Sequence, residues 1–340
     1  MPQCEQGMSN TELVTEQIVF ILKLIWCLFC EVARCLLQTI SPVYKDLSSD
    51  VILVTGAGNG IGRLMCLEFA KFCPNIIAVD KNEKGLLETS KLVFKETNIQ
   101  IKVYTCDLRH KKEIDELSTN VLKEFGKVTV LVNNAGVMNA DFISELTQDS
   151  IENCFKVNTL SHVYLSQAFL PTMLNKTNEN SNCDNDVPVT FRHPRGHIVC
   201  ISSIAGRVPL AGGADYCASK AAALLFAESL ELELLKLGVD DEIRVTRVLP
   251  FLLNTDMFKG VTPKRPLLFP TVDASYCANR IVQSVRLNER VVYVSPRYRI
   301  LPILQILLPT KMLHCLFEYA NTDAYVDQLK LCRKKTDACS

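Results

Sequence analysis

From Asp50 onward, short apolar runs rich in β-branched residues alternate with longer stretches whose apolar positions recur at helical spacing. The runs predict strands at Val51–Thr55, Asn75–Val79, Gln100–Thr105, Val128–Asn133, His197–Ser202, Arg244–Leu249 and Val291–Ser295. Between them the spacing predicts helices over 61–73, 83–97, 110–125, 147–175, 214–237 and 272–287. Repeated strand–helix alternation implies a parallel sheet with helices on both faces. Near-continuous apolar strands such as VILV and VTVLV are what burial on both faces requires.

Both ends of the chain break this rhythm. From Ile18 to Ile40 the residues are mostly large and apolar, the right length for a membrane helix. Lys23, Cys27, Glu31, Arg34 and Gln38, however, recur every three or four residues and so fall on one helical face, which favours a helix lying in the membrane interface. Ser41-Pro42 ends it, and no small-residue cleavage site follows, so an uncleaved anchor is expected over residues 1–49. Glu5, Glu12 and Glu16 precede the stretch while Arg34 lies towards its end and Lys45 beyond it; if it spans, the domain that follows faces the cytosol. A helix packed on its own domain or on a partner is the alternative. Residues 50–296 form the expected catalytic domain. Within it, 176–195 is polar and poor in aliphatic residues, and reads as a surface insertion. The extension 297–340 carries the apolar stretch ILPILQILLPTKMLHCLF, broken by Pro302 and Pro309. A second membrane-contacting patch, a lid over an apolar pocket and a plain packing helix all remain open for it.

Composition narrows the function classes. Lys and Arg together number 37, as do Asp and Glu, leaving zero formal charge and no basic run, so nucleic acid is not an expected partner. Fifteen cysteines lie scattered through apolar runs, which reads as buried free thiols in a reducing compartment. Cys27 and Cys30 have the spacing of half a zinc site but lack a second pair or a nearby histidine. No metal is expected; unpaired or lipidated thiols are.

The chemistry begins at Thr55–Gly62, TGAGNGIG, directly between the first strand and the first helix. Glycines there permit a tight turn and close approach to a pyrophosphate, which meets the positive end of the following helix. Asp80 ends the second strand, where a carboxylate accepts hydrogen bonds from the adenosine ribose and repels a 2′-phosphate. NAD(H) is therefore preferred. Asn59 adds no cation to the loop, whereas Lys81 leaves NADP(H) open.

Together with Cys106-Asp107-Leu108, Asn133-Asn134-Ala135-Gly136, Asn158, Ser203 and Tyr216-Cys-Ala-Ser-Lys220, this loop resembles the short-chain dehydrogenase/reductase family over Asp50–Pro296. The resemblance implies an α/β fold of Rossmann type, a doubly wound parallel seven-stranded sheet with helices on both faces, here with an N-terminal membrane helix added. It implies that Gly56, Asn59, Gly60, Ile61 and Gly62 hold the pyrophosphate end of the cofactor and Asp80 the ribose. It also implies that Asp107 and Leu108 contact adenine, that Asn134, Ala135 and Gly136 support the cofactor, and that Tyr216, Lys220 and Thr255 meet its nicotinamide end.

Asn158, Ser203, Tyr216 and Lys220 are implied as the catalytic tetrad. Tyr216 and Lys220 stand four apart on a predicted helix and share a face. A free phenol has a pKa of about 10, too high for an efficient base near neutrality. The Lys220 cation, with the oxidised nicotinamide, is expected to lower it, so that Tyr216 takes the hydroxyl proton as hydride leaves the carbinol carbon. Ser203 is expected to hold the reacting oxygen, with adjacent Ser202 the competing assignment that family spacing rejects. Asn158 is expected to order a water linking Lys220 to solvent. One departure is Pro250-Phe-Leu-Leu-Asn-Thr255, where Phe251 replaces the family's glycine.

Ala168–Met173, Gly196–Val199, Ala214–Lys220 and Thr255–Phe258, with the apolar N-terminus, resemble membrane-associated retinol dehydrogenases of the retinol dehydrogenase 10 and epidermal retinol dehydrogenase 2 group, relatives of 17β-hydroxysteroid dehydrogenases 11 and 13. That implies a lipophilic alcohol, all-trans-retinol going to retinal, at the endoplasmic reticulum or a lipid droplet. Ser203, Phe251 and Met257 are the expected substrate contacts, in an apolar entrance built from 251–269 and the tail. A 17β-hydroxysteroid or other droplet lipid is the second substrate reading, and a non-catalytic NAD-binding scaffold the third. The helices bearing Ser161 and Ala222 resemble those with which the family forms homodimers.

Overall fold

A computed structural model describes residues 10–174, 195–266 and 269–337. The chain divides into two compact units, Met1–Tyr44 and Lys45–Ser340. The first contains one 31-residue helix, α1 (Asn10–Ile40). Among the described residues no helix is long and apolar enough to cross a membrane, which corrects the membrane-spanning form of the expected anchor. Lys45 is corrected too. It is no flanking cation, being buried against Asp50 with Nζ 3.0 Å from a carboxylate oxygen, and Leu47 beside it lies in the core. The second unit therefore begins at Lys45, ahead of the first strand.

The second unit holds a seven-stranded, wholly parallel sheet in the order β3-β2-β1-β4-β5-β6-β7. Its strands are β1 (Ile52–Thr55), β2 (Ile76–Asp80), β3 (Lys102–Thr105), β4 (Val130–Asn133), β5 (Gly196–Ile201), β6 (Ile243–Leu249) and β7 (Val291–Tyr293). Side chains alternate along each strand, so every central strand feeds two cores. Ile52 and Val54 of β1 pack with α2 (Gly60–Ala70), α3 (Glu83–Thr97) and α8 (Ala274–Arg286) through Met65, Phe69, Leu86 and Ile281. Leu53 faces the other way, towards α4 (Lys111–Phe125), α6 (Ser161–Leu174) and α7 (Ala214–Lys236), with Ile114, Phe169 and Leu230. Phe69 and Phe169 are fully buried, each contributing about 1.5–3 kcal/mol by area. Edge strand β3 is half exposed and reads KVYT, where a central strand would be wholly apolar.

The helix expected over 147–175 is interrupted. It begins as α5 (Gln148–Phe155), capped by Thr147, widens into a π-helical turn over Lys156–Leu160, and resumes as α6. Such a turn inserts one residue into the helical ladder and commonly marks a functional position. Here that position is Asn158.

The tail forms α9 (Ile300–Leu307), α10 (Thr310–Ala320) and α11 (Asp323–Asp337). Pro302 sits in the first turn of α9 and Pro309 precedes α10, the two places where a proline costs a helix nothing. Leu301, Leu313, Tyr325, Val326 and Leu329 are buried against the catalytic unit, whereas Ile306 and Leu307 are exposed. The polar insertion read at 176–195 lies outside the described residues except for Arg195, which pairs with Glu242 at 2.6 Å.

Every cysteine described is a free thiol, and Cys66, Cys106, Cys200 and Cys277 are buried. Burial pushes each of these four up to about 12, which makes them inert packing groups. Among the described residues no cluster of His, Cys, Asp and Glu is arranged to hold a metal.

Candidate active site

The sheet order reverses between β1 and β4, and the carboxyl ends of the strands flanking such a reversal leave a crevice. A cleft of about 250 Å³ occupies that place. Gly56, Asn59, Gly60, Ile61 and Gly62 form one wall, as the glycine pattern predicted. Gly56 and Gly60 have φ of +66° and +54°, which L side chains rarely adopt. Gly62 has an ordinary φ, but a Cβ there would lie 2.0 Å from the Gly56 carbonyl oxygen. Asn59 caps α2 with its side-chain oxygen, while its amide nitrogen donates to Asp256 at 2.7 Å across the cleft mouth.

Thr55 and Asn134 clasp the floor together. Asn134 Nδ2 donates to the Thr55 carbonyl at 2.7 Å, and the backbone amides of Asn134 and Ala135 donate to Thr55 Oγ1 at 2.9 and 3.1 Å. This holds the Asn134-Ala135-Gly136 segment against the glycine loop. At the ribose end, Asp80 accepts from the Gly58 amide at 2.9 Å and from the Asn82 amide at 2.9 Å. Arg63, which the sequence reading overlooked, lies behind the loop. Its guanidinium is spent on Gly58 O at 2.5 Å, Glu88 at 2.9 Å and Thr89 at 3.0 Å.

Asp107 and Leu108 line an adjoining hollow of about 110 Å³ with Lys81 and Arg109, which shares Gly56, Asp80, Ala135 and Gly136 with the cleft. The Asp107 carboxylate is gripped by Arg109, with Nε at 3.0 Å and Nη2 at 2.5 Å, and this guanidinium holds its pKa below the usual carboxylate value. Arg109 carried no motif, since a cation two residues from an aspartate is ordinary surface sequence.

On the other side of the cleft stand Ser203, Tyr216, Lys220 and Thr255. Both serines line the cleft: Ser202 Oγ donates to the Lys220 carbonyl at 2.7 Å, and Ser203 Oγ accepts from the Ala205 amide at 3.1 Å. Lys220 Nζ donates to the Ile201 carbonyl at 2.9 Å. Asn158 is fully buried and does not line the cleft. Its Oδ1 accepts from the Val137 amide at 2.8 Å and its Nδ2 donates to Ser219 Oγ at 2.9 Å. A Cβ on Gly136 would stand 3.2 Å from Lys220 Nζ and 3.4 Å from Asn158 Oδ1, so this glycine keeps the gap between them open.

Burial pushes the Tyr216 phenol up to about 12, only partly offset by the Ser203 hydroxyl. Burial also pushes Lys220 down to about 8. Desolvation penalises both charged forms, yet an amine at about 8 still carries most of its charge near neutrality.

Beyond Ser203 and Tyr216 opens a second pocket, of about 90 Å³, which shares Phe251 and Phe258 with the cleft. Phe251, the residue in place of the family glycine, needs no left-handed backbone. Its ring lies 4.2 Å from Tyr298 and 6.0 Å from Phe269, forming an aromatic wall. Met257 lines the cleft alone. The far wall is Leu301 of α9, Phe317 of α10, Thr322 and Tyr325 of α11, none of which the sequence reading singled out. Helix α11 is strapped down by Lys330, 2.6 Å from Glu145 and ion-paired with Asp141, and by Gln328, which accepts from the Thr262 amide at 2.8 Å. Of the open readings of the tail, the structure therefore favours a wall over an apolar pocket.

A model of the short chain dehydrogenase family matches residues 50–266. The chain belongs to this family. It is 36% identical over 280 residues to short-chain dehydrogenase/reductase family 16C member 6 of Bos taurus, covering 82% of this chain and 83% of that one. It is 33% identical over 303 residues to epidermal retinol dehydrogenase 2 of Mus musculus, covering 89% and 91%. It is 30% identical over 337 residues to retinol dehydrogenase 10 of Homo sapiens, covering 92% and 93%. Among solved structures, a metagenomic short-chain oxidoreductase in complex with NADP is 28% identical with a TM-score of 0.51, over 61% of this chain and 84% of that one. A short chain dehydrogenase/reductase from Burkholderia phymatum in complex with NAD shares the fold at 20% identity and a TM-score of 0.63, over 77% and 95%. The protein is thus an oxidoreductase acting on CH–OH donors with a nicotinamide dinucleotide.

Proposed function

We propose that the protein interconverts a lipophilic alcohol and its carbonyl with NAD(H), and that all-trans-retinol going to retinal is its first reaction. The observation that carries this reading is the apolar pocket opening onto Ser203 and Tyr216 beside the nucleotide cleft. Two of the relatives are named for retinol.

The cleft fits a dinucleotide: a Cβ at Gly60 would meet nothing nearer than Thr255 Cγ2 at 4.0 Å, so the loop backbone is bare towards the cleft, and the Asp80 carboxylate stands where a ribose would end. NAD(H) is preferred because Asp80 repels a 2′-phosphate and the nearby Arg63 guanidinium is already spent. When bound, the nicotinamide supplies the hydride acceptor or donor and, oxidised, a positive charge. Gly56, Gly60 and Ile61 hold the pyrophosphate, Asp107 and Leu108 the adenine end, and Thr255 the nicotinamide end.

Ser203 donates a hydrogen bond to the reacting oxygen and holds it against Tyr216. Tyr216 carries the proton, accepting it in oxidation and giving it in reduction. Because burial holds the free phenol at about 12, the site at rest is set as an acid, and it becomes a base only with added positive charge beside it. Lys220 keeps the second cation next to the phenol, anchored on Ile201 O, and Asn158 positions the backbone at Val137 so that a water can link Lys220 outward. Phe251 and Met257 exclude water from the reacting end.

Membrane association belongs to the same reading. Considered alone, α1 carries exposed Phe20, Trp26, Leu28 and Phe29 along with its polar positions, suiting a helix that lies in the interface of the endoplasmic reticulum or a lipid droplet. Exposed Leu225, Leu232 and Leu235 on α7 favour a homodimer, which light scattering would check.

The test is NADH or NADPH production by purified membranes offered retinol, estradiol or a fatty alcohol, with Tyr216→Phe as the blank. Oxidation of retinol with NAD supports the proposal. Oxidation of estradiol alone moves it to the hydroxysteroid reading, and none at all favours the scaffold. Carbonate extraction of a chain lacking residues 1–43, which spares buried Lys45, tests the anchor: unchanged membrane retention refutes it.

A further inference from the structure

The pocket beyond Ser203 is hydrocarbon on nearly every side, but it has polar groups in two places. One is the reacting pair, Ser203 and Tyr216. The other is on the C-terminal wall, where Thr322 and Tyr325 enter the lining. Tyr325 is 6% exposed, and its hydroxyl is buried without a hydrogen-bond partner among the described residues. The neighbouring Tyr298, in the same aromatic wall, has a partner, donating to the Pro270 carbonyl at 3.4 Å. Thr322 Oγ1 donates to the Phe317 carbonyl at 3.3 Å, closing the end of α10 and leaving its oxygen free to accept.

An orphaned buried hydroxyl costs about 1–3 kcal/mol, and a phenylalanine would fill the same space without that cost. A buried polar group lacking a partner in the protein, beside a cavity, is explained when the partner is the ligand.

We propose that Tyr325, helped by Thr322, binds a second hydrogen-bonding group, a hydroxyl or carbonyl, on a lipid whose other oxygen reacts at Ser203 and Tyr216. The inference rests on the assignment of Ser203 and Tyr216 as the reacting end. It extends the substrate class to bifunctional lipids such as diols and hydroxyketones. Retinol, with one oxygen, satisfies the reacting pair and is turned over without the contact at Tyr325. Helix α11 then acts as a specificity element held over the pocket by Lys330 and Gln328.

The test compares α,ω-alkanediols with primary alkanols of matching length, and a 3,17-dihydroxysteroid with retinol, on the full-length enzyme with NAD. Two readouts are taken: kcat/KM, and the rise in Tm that each lipid gives the NADH-bound protein. Wild type is expected to favour diols over alkanols by about 10-fold, the worth of one neutral hydrogen bond, with the advantage peaking at one chain length. Tyr325→Phe should bring the ratio of kcat/KM for diol over matching alkanol down to about one, with the Tm of the free enzyme no lower. Thr322→Val should reduce the advantage partially. Equal losses on diols and alkanols, or a diol advantage that survives Tyr325→Phe, would overturn the proposal. Should no alcohol be turned over, the assignment of the reacting pair fails, and the Tm shifts still decide whether Tyr325 senses a second oxygen.

Discussion

The nucleotide half of this site and its apolar half, proposed above to take a lipid and called here the lipid half, are built by different means. The first is made of backbone: turns at Gly56 and Gly60, the start of α2, and the clasp between Thr55 and Asn134. The second is made of side-chain surface, gathered from Phe251, Phe269, Leu301, Phe317 and Tyr325 over some seventy residues of sequence. Backbone that must approach a pyrophosphate tolerates few residue types, so it leaves a motif. An apolar wall tolerates many, so it leaves only hydropathy. The two halves should therefore respond separately to mutation, and Ser203 and Tyr216, which line both, are where they meet.

The strongest test of that separation is Tyr216→Phe. Losing the proton carrier should lower kcat by about 10²–10⁴-fold. NADH affinity, measured by fluorescence titration, should stay within about twofold, because the phenol hydroxyl makes none of the contacts that hold the glycine loop. Loss of NADH binding in this variant would show that the halves are not separable.

Next comes the charge buried at their meeting point. Lys220 is pushed from 10.5 down to about 8, so between those values the unfolded chain binds more protons than the folded one. Stability contributed by this group must then rise with pH, by about 1.4 kcal/mol per unit across the window and about 3 kcal/mol in all. Tyr216 works in the opposite direction above pH 10, and buried thiols do so from about 9. The effect is therefore read as the difference between wild type and Lys220→Met, in which those contributions cancel. Urea unfolding at intervals from pH 7 to 10 should show the variant's advantage shrinking as pH rises; a flat difference would mean that the amine is not desolvated as its burial indicates.

Legibility followed the same divide. All seven strands and their helical layers were readable because a sheet buried on both faces forces continuous apolar runs, and every cofactor residue expected from the motifs lines the cleft or the hollow beside Asp107. The π-helical turn at Asn158 was not readable. Its inserted residue changes hydrogen-bond register and leaves the apolar pattern nearly intact. Nor was the rise in the Tyr216 pKa, since the four-residue spacing to Lys220 reports direction on a helix and says nothing of how dry the place is. Arg63 and Arg109 look like surface cations, and only the folded chain shows that one braces the glycine loop and the other grips Asp107. The tail was the least legible part, because apolar residues broken by prolines suit a membrane patch and a pocket wall equally.

A third prediction sharpens the nucleotide half alone. Asp80→Ser removes the carboxylate that accepts from Gly58 and meets the ribose. A hydrogen bond to a charged group is worth about 1.5–3 kcal/mol, so the preference for NAD over NADP should fall by about 10–100-fold. The measurement is the ratio of kcat/KM for the two cofactors with one lipid alcohol. KM for that alcohol should hardly move, and an equal rise in KM for alcohol and cofactor would blur the divide.

The smallest effect belongs to the lipid half. Phe317 of α10 is only partly buried, so Phe317→Ala forfeits less than a core phenylalanine would, about 1–2 kcal/mol of apolar contact. If that face of α10 contacts lipid, the loss appears as a rise in KM of about 5–30-fold for lipophilic alcohols, while a short alcohol that ends before the wall is unaffected. NADH affinity should be untouched, because the cleft's lining draws nothing from α10. A fall in Tm with unchanged KM would make α10 a packing helix and return the tail to the reading that its sequence could not separate from a pocket wall.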